Sequence, residues 1–250
     1  GARVEEKSPG QLGVLERRFN TMVAELERSE QQRRNMTADI AHELRTPLHI
    51  LQGTLEGMMD GVYETDKETI SSTLDETRLL NRLINDLQTL ALAEAGQLPL
   101  NPTTIRVQDL LEDVVNAFEP AAGEDGVILA AEHGCDQLEL AADYDRLYQV
   151  LANLVRNALD HTPQGGTITL ASGTEEDRVV LTVQDTGEGI PAEDLPYIFD
   201  RFWRGDKSRS THGHGLGLAI SRGLIRAHGG SISAESMPGD GTKFRVELPQ

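Results

Sequence analysis

Within six residues, His42-Glu43-Leu44-Arg45-Thr46-Pro47, the chain places a potential phosphoryl acceptor, an acid-base carboxylate and a helix-distorting proline. Met36, Ile40, Leu44, Leu48 and Leu51 form one apolar stripe. At 3.6 residues per turn His42 falls roughly 180° from its centre, so the imidazole is expected to face water. A solitary solvated histidine is ordinarily inert. Glu43 changes that, because it can orient the ring and take its proton, leaving one ring nitrogen as a nucleophile near neutral pH. Thr46 lies one turn along on a nearby face. His42, Glu43 and Thr46 are therefore the catalytic candidates.

A second group of residues suits a nucleotide. In a helix expected over 143–159, Leu147, Leu151, Leu154 and Ala158 define the apolar stripe, and Asn153 and Asn157 sit roughly 90° around from it. One asparagine oxygen together with phosphate oxygens suffices for magnesium, although paired asparagines also arise without function. Val179, Leu181 and Val183 alternate along a strand, and Asp185 shares their parity, so its carboxylate points into the apolar layer. A carboxylate there needs a donor, and the exocyclic amine of a purine provides one. Gly187 and Gly189, next along, let backbone approach a base, while a simple turn explains them equally well. Phe199-Asp200-Arg201-Phe202-Trp203-Arg204 and a polar segment over 205–212 lead to Gly213-His214-Gly215-Leu216-Gly217-Leu218, which opens a helix. Glycines ahead of a helix N-terminus suit a phosphate, and the polar segment reads as a lid over bound nucleotide.

The elements that must position these groups fall into two kinds. Leu12, Leu15, Phe19, Met22 and Leu26 recur at steps of three and four, a heptad seam for a two-stranded coiled coil, which Ser29 and Arg33 weaken. Met36, Ile40, Leu44 and Leu48 then step by four before Leu51, Leu55 and Met58 resume the alternation. Steps of four locally unwind a left-handed supercoil, and Pro47 removes a backbone donor in the same turn, so a weak point is expected near His42; a merely tolerated proline is the alternative. After a connection over 59–66, a second helix is expected over 69–92, with Ile70, Leu74, Thr77, Leu80, Ile84 and Leu87 inward. A hairpin this long cannot bury both apolar faces alone, which predicts a homodimer with a four-helix bundle. Gly96, Pro99 and Pro102 mark a boundary. Beyond it the periodicity predicts helices over 107–118, 143–159 and 216–227 and strands over 127–131, 166–171, 178–185, 230–235 and 242–248, a helix layer on a mostly antiparallel sheet.

Composition narrows the partners. The 250 residues suffice for two folded units, and with aromatics at only 4% the cores are expected to be aliphatic. Twenty-three Lys and Arg against 41 Asp and Glu leave a net charge of −18, which argues against nucleic acid and against an anionic membrane surface. Cys135 is the only cysteine, so neither an intramolecular disulfide nor a cysteine-based zinc site can form, and it reads as structural. No run of eighteen apolar residues and no signal peptide is present, so the chain reads as soluble. The abrupt polar start around Ser8-Pro9-Gly10 suggests a further segment upstream.

Taken together, the motifs resemble the cytoplasmic part of a bacterial two-component sensor histidine kinase across nearly the whole chain. His42 to Pro47 is similar to the family's H-box, Asn153 with Asn157 to its N-box, and Asp185-x-Gly187-x-Gly189 to its first glycine box. Phe199-Asp200-Arg201-Phe202 resembles the F-box and Gly213 to Gly217 the second glycine box. Phe19-Asn20-x-Met22 resembles the end of a HAMP signalling helix. The resemblance implies an α plus α/β protein, its signalling helix over 1–30, its dimerising phosphotransfer hairpin over 31–96 and its ATP-binding α/β sandwich of the gyrase and histidine kinase type over 101–250. It further implies that His42 accepts the γ-phosphoryl of ATP and passes it to an aspartate on a response regulator receiver domain. Asn157 would hold Mg²⁺, Asp185 the adenine amine, Gly213 to Gly217 the phosphates, and Thr242 would help contact the base. Asn153, Gly187, Gly189, Phe199, Arg201, Phe202, Arg204, Gly213, Gly215, Leu216, Gly217 and Leu218 complete the implied nucleotide set. Glu43 with Thr46 matches the E-x-x-T arrangement tied to dephosphorylating the regulator. The chain would then be the cytoplasmic portion of an inner-membrane sensor, tied to the membrane only through segments outside it.

Two positions depart from the family pattern. Asp160 stands where Lys or Arg is frequent, so charge against the phosphates falls to Mg²⁺, Arg201, Arg204 or Lys207, and His161 replaces a frequent tyrosine. Those departures bear on the rate more than on the reaction. Two other functions stay open on the residues alone. One is a nucleotide-gated ATPase or protein-serine kinase on the same fold; the other is a noncatalytic dimeric adaptor with a decayed pocket.

Overall fold

A computed structural model describes residues 11–132, 138–205 and 215–250, and within the first helix several side chains, His42 among them, lie outside the description. Cys135, Lys207 and Gly213 also fall outside it, as do the side chains of Leu12, Leu15, Leu26, Ser29, Arg33 and Met36. The chain divides into two compact units, one ending at Arg82 and the other Leu83–Gln250.

The first unit is helical. α1 (Gln11–Met59) runs for 49 residues, roughly 70 Å at 1.5 Å per residue, straight through the hydrogen-bonding slot that Pro47 leaves empty. Pro47 is itself buried. The turn after α1 closes on Gly57, whose carbonyl accepts from Val62 N (2.8 Å) and Tyr63 N (3.0 Å). α2 (Lys67–Glu94) starts two residues before the periodicity predicts, because Asp66 caps it: its carboxylate accepts from Thr69 N at 2.8 Å. That N–H, with the Thr69 hydroxyl, holds the Asp66 carboxyl below its ordinary value. Thr73 and Thr77 hydroxyls donate to carbonyls one turn back, so they cost the helix little. Of the apolar positions expected inward, Leu87 is buried, whereas Ile70, Leu74 and Ile84 are about half exposed in the single chain.

The second unit is a two-layer α/β sandwich. Its five-stranded sheet has the order β2-β4-β5-β7-β6, from β2 (Ile128–Glu132), β4 (Thr167–Glu175), β5 (Arg178–Asp185), β6 (Ser231–Met237) and β7 (Gly241–Pro249). The β2–β4 pair is parallel and the other three pairs are antiparallel, the mostly antiparallel sheet the periodicity predicts. Two further four-residue strands, β1 (Thr103–Arg106) and β3 (Glu139–Ala142), pair only with each other and were not foreseen.

Three helices cover one face of the sheet: α3 (Val107–Asp125), α4 (Tyr144–His161) and α5 (Gly217–Ala227). α3 continues past Pro120, beyond the predicted end at 118, because Ala122 is buried against the core and Gly126 supplies a left-handed cap. The α4 start is fixed by Asp143, whose carboxylate accepts from Arg146 N (3.1 Å) and Asn101 N (2.9 Å). The core between the layers is aliphatic, from Leu147, Leu151, Leu154, Ile168, Leu181 and Ile220, with Phe244 its largest side chain.

Candidate nucleotide site

Alternation along β5 buries Val179, Leu181, Val183 and then Asp185, which is 3% exposed at the strand end. Asp185 Oδ1 accepts two backbone N–H groups, from Gly187 at 2.8 Å and from Thr242 at 3.1 Å. Its other oxygen has no partner among the described residues. Burial pushes the Asp185 carboxyl above its ordinary value, opposed by those two N–H groups and by the charge of His161. A buried carboxylate with one saturated and one open oxygen is an acceptor built for a ligand donor.

The surrounding backbone is packed against this group. A Cβ on Gly187 would stand 2.4 Å from the His161 carbonyl oxygen, so any side chain there forces apart the loop after β5 and the end of α4. Gly241 has φ +81° and its Cβ would meet the Asp185 carbonyl at 2.0 Å; only glycine lets β7 begin here. Glu188 N donates to the His161 carbonyl (3.2 Å), and the Glu188 carboxylate reaches His161 Nδ1 at 3.1 Å. Gly189 closes the loop beside Met237, since Gly239 N donates to the Glu188 carbonyl at 2.8 Å.

The two asparagines of α4 divide in role. Asn153 Nδ2 donates to the Gly217 carbonyl at 3.3 Å, where Ser221 Oγ also donates at 2.9 Å, so α4 is tied to the first turn of α5. Asn157, one turn on and half-buried, makes no hydrogen bond to a described residue, leaving its amide oxygen for another partner. Gly215 precedes α5 and its carbonyl accepts from Phe202 N at 2.9 Å. Leu216 is buried in the core and Leu218 half-buried, so both fix the start of α5.

Other expected residues are held elsewhere. Phe199 stacks edge-on against Phe244 with ring centroids 6.3 Å apart, and Arg222 lies over it at 5.8 Å, which makes it a packing residue. Arg201 is engaged by Glu94, with Nε 2.6 Å from Oε1. Arg204 is half-buried. In the helical unit His42 lies within α1, Glu43 is half-buried and Thr46 is exposed.

One residue of the site escaped the sequence reading. Ser236 Oγ accepts from Ile190 N (2.8 Å), donates to the Gly241 carbonyl (2.7 Å) and lies 3.0 Å from Thr242 Oγ1. Its signal was the parity that exposed Asp185: Ile232, Ala234 and Ser236 share the inward face of β6. The predicted strand ends at 235, two residues short of the observed end at Met237 and just before Ser236.

The chain thus joins a helical hairpin to an α/β sandwich that buries an acid at the end of β5 and begins its last helix at glycine. Residues 32–96 match the family described as His Kinase A (phospho-acceptor) domain. Residues 142–250 match the family described as histidine kinase-, DNA gyrase B- and HSP90-like ATPase. The chain is 37% identical over 249 residues to the signal transduction histidine-protein kinase BaeS of Escherichia coli, covering 99% of this chain and 53% of that protein. It superposes on the solved Acinetobacter baumannii histidine kinase AdeS with TM-score 0.71 and 32% identity, over 83% of this chain and 97% of that one. It also superposes on histidine kinase ThkA, solved in complex with response regulator protein TrrA, with TM-score 0.69 and 29% identity, over 90% of this chain and 65% of that one. The chain belongs to the sensor histidine kinase family. It spans about half the length of BaeS.

Proposed function

We propose that the chain is an ATP-dependent histidine autokinase, which takes the γ-phosphoryl of ATP on His42 and passes it to an aspartate of a response regulator receiver domain. The observation that carries this reading is buried Asp185, whose Oδ1 is held by the Gly187 and Thr242 N–H groups and whose other oxygen is open. It accepts the adenine amine, with Thr242 beside it against the base. The phosphates fall to the N-terminal backbone of α5, approached through Gly213, Gly215, Leu216, Gly217 and Leu218. Asn153 holds that turn to α4, and Gly189, Phe199 and Phe202 shape the loops around it.

The residues present fit Mg²⁺. Asn157 offers a hard amide oxygen unengaged by any described residue, which suits an ion completed by phosphate and water. Bound there, Mg²⁺ supplies positive charge to the triphosphate. Arg204 and Lys207, at and within the polar segment over 205–212, are the candidates to add to it, since Arg201 is engaged by Glu94.

In the transfer, a His42 ring nitrogen bonds to the γ-phosphorus as the bond to the bridging oxygen breaks and ADP leaves. Glu43 takes the ring proton. The phosphoryl then passes from nitrogen to an aspartate oxygen of the regulator, and Thr46 with Glu43 positions water for the reverse regulation, dephosphorylation. Leu48, Leu55, Ile70, Leu74 and Ile84, each 44% to 52% exposed in one chain, support a homodimer in which a second hairpin covers them. Among the described residues no helix is long and apolar enough to cross a membrane.

The test is incubation with γ-labelled ATP and Mg²⁺. Acid-labile, base-stable label is expected on the chain and lost in His42→Gln; label persisting in that variant overturns the assignment.

A further inference from the structure

Asp185, Thr242 and Ser236 lie in one row across the sheet. Ser236 is directly opposite Thr242 in the β6–β7 register, and Thr242 follows the Gln184–Lys243 pair, which sets it opposite Asp185. Side chains opposite one another on neighbouring strands share a face. The row is therefore a continuous line of polar groups on the buried side, with Asp185 3% and Thr242 6% exposed.

Counting protons along it fixes who donates. Ser236 has one hydroxyl proton, and its 2.7 Å approach to the Gly241 carbonyl, a group that cannot donate, requires that proton to lie between them. Ser236 Oγ is then an acceptor toward both Ile190 N at 2.8 Å and Thr242 Oγ1 at 3.0 Å. Thr242 must therefore spend its own proton on Ser236. What remains of the Thr242 hydroxyl is lone pairs, beside a carboxylate that also only accepts.

We propose that Ser236 is a specificity-determining residue: by holding the Thr242 proton it makes the base end of the pocket acceptor-only, selecting a 6-amino purine over a 6-oxo purine. The inference rests on the reading that Asp185 receives a purine's position-6 edge. A 6-oxo base brings a carbonyl against two acceptors, and neither can turn a proton to meet it. Ser236→Ala releases the Thr242 hydroxyl, which then rotates and donates to a base carbonyl while the ring N1–H of hypoxanthine donates to Asp185.

The measurement is calorimetric titration of the full chain with Mg²⁺-ADP and Mg²⁺-IDP, product nucleotides that avoid turnover. Ser236→Ala is expected to reduce the wild-type preference for ADP about tenfold, the worth of one hydrogen bond gained by the 6-oxo base. Ser236→Thr, which keeps a hydroxyl at this position, is expected to retain the wild-type ratio. Thr242→Val, which removes the lone pairs, lowers the preference by itself, and adding Ser236→Ala to it changes nothing further. An unchanged ratio in Ser236→Ala or in Thr242→Val overturns the proposal, as does a Ser236→Ala effect that persists in the Thr242→Val background. If wild type binds neither nucleotide, or if Asp185→Asn leaves ADP affinity intact, the nucleotide reading has failed instead.

Discussion

Asp185→Asn separates the function of this carboxylate from its effect on the fold. In the free protein one asparagine oxygen can still accept from Gly187 N and Thr242 N, now 2.8 and 3.1 Å from Oδ1. The amide nitrogen then occupies the place of the open carboxylate oxygen and turns a donor toward the adenine amine. Binding loses a hydrogen bond to a charged acceptor, about 1.5–3 kcal/mol, and leaves a buried donor unmet, about 1–3 kcal/mol. Together these give about 2.5–6 kcal/mol, so ADP affinity should fall by about sixty-fold to about twenty-thousand-fold. Stability should move the other way. Burial raises the Asp185 pKa above its ordinary value, so the folded state holds this proton more tightly than the unfolded chain. Ionised Asp185 thus destabilises the fold, fully at pH above its folded pKa, while below the unfolded value near 3.8 the cost is gone. The melting temperature of free Asp185→Asn should therefore exceed that of wild type at pH 7, and the excess should shrink as the pH falls into the acid range. Equal melting temperatures at neutral pH, or ADP binding within threefold of wild type, refute the reasoning.

Gly187→Ala should destabilise the α/β unit by about 1–3 kcal/mol in scanning calorimetry, because its Cβ meets the His161 carbonyl oxygen at 2.4 Å. Asn157→Ala should erase the gain in nucleotide affinity that Mg²⁺ brings while leaving affinity in EDTA unchanged. Asn153→Ala should instead weaken binding under both conditions, since it frees the Gly217 carbonyl from α4. A double-mutant cycle on Arg201 and Glu94, side chains 28% and 36% exposed, should give a coupling below about 1 kcal/mol that shrinks with salt. Leu48→Asp with Ile84→Asp should shift sedimentation from dimer toward monomer, as both are about half exposed in the single chain.

Periodicity made most of the fold legible, and its misses have causes. β1 and β3 are four residues each, and each finds its partner across more than thirty residues of chain, so neither carries enough pattern to be read locally. Pro120 reads as a helix end, yet burial of Ala122 and the Gly126 cap outweigh the lost donor. Asp66 moves the α2 start because a cap decides where a helix begins more sharply than the apolar stripe does. Strand parity alone was enough to find Asp185. Phe199 is a different case: it enters through motif likeness, and nothing in its own periodicity tells of the packing its ring makes with Phe244 and Arg222.

Register supplies what periodicity cannot. Parity says that Asp185 and Ser236 each face inward, but nothing along either strand says that Thr242 stands between them. That adjacency depends on β7 entering the sheet between β5 and β6, a pairing of segments more than fifty residues apart on one side and next to each other on the other. Once it forms, a serine reading as an ordinary strand hydroxyl becomes the group that assigns the Thr242 proton. The β6–β7 turn keeps that assignment local, because Gly241 both begins β7 and offers the carbonyl that takes the Ser236 proton. A change in the turn that displaced this carbonyl would free Ser236 to donate to Thr242, and the Thr242 proton would then be available to a base carbonyl, beside an Asp185 carboxylate that still only accepts.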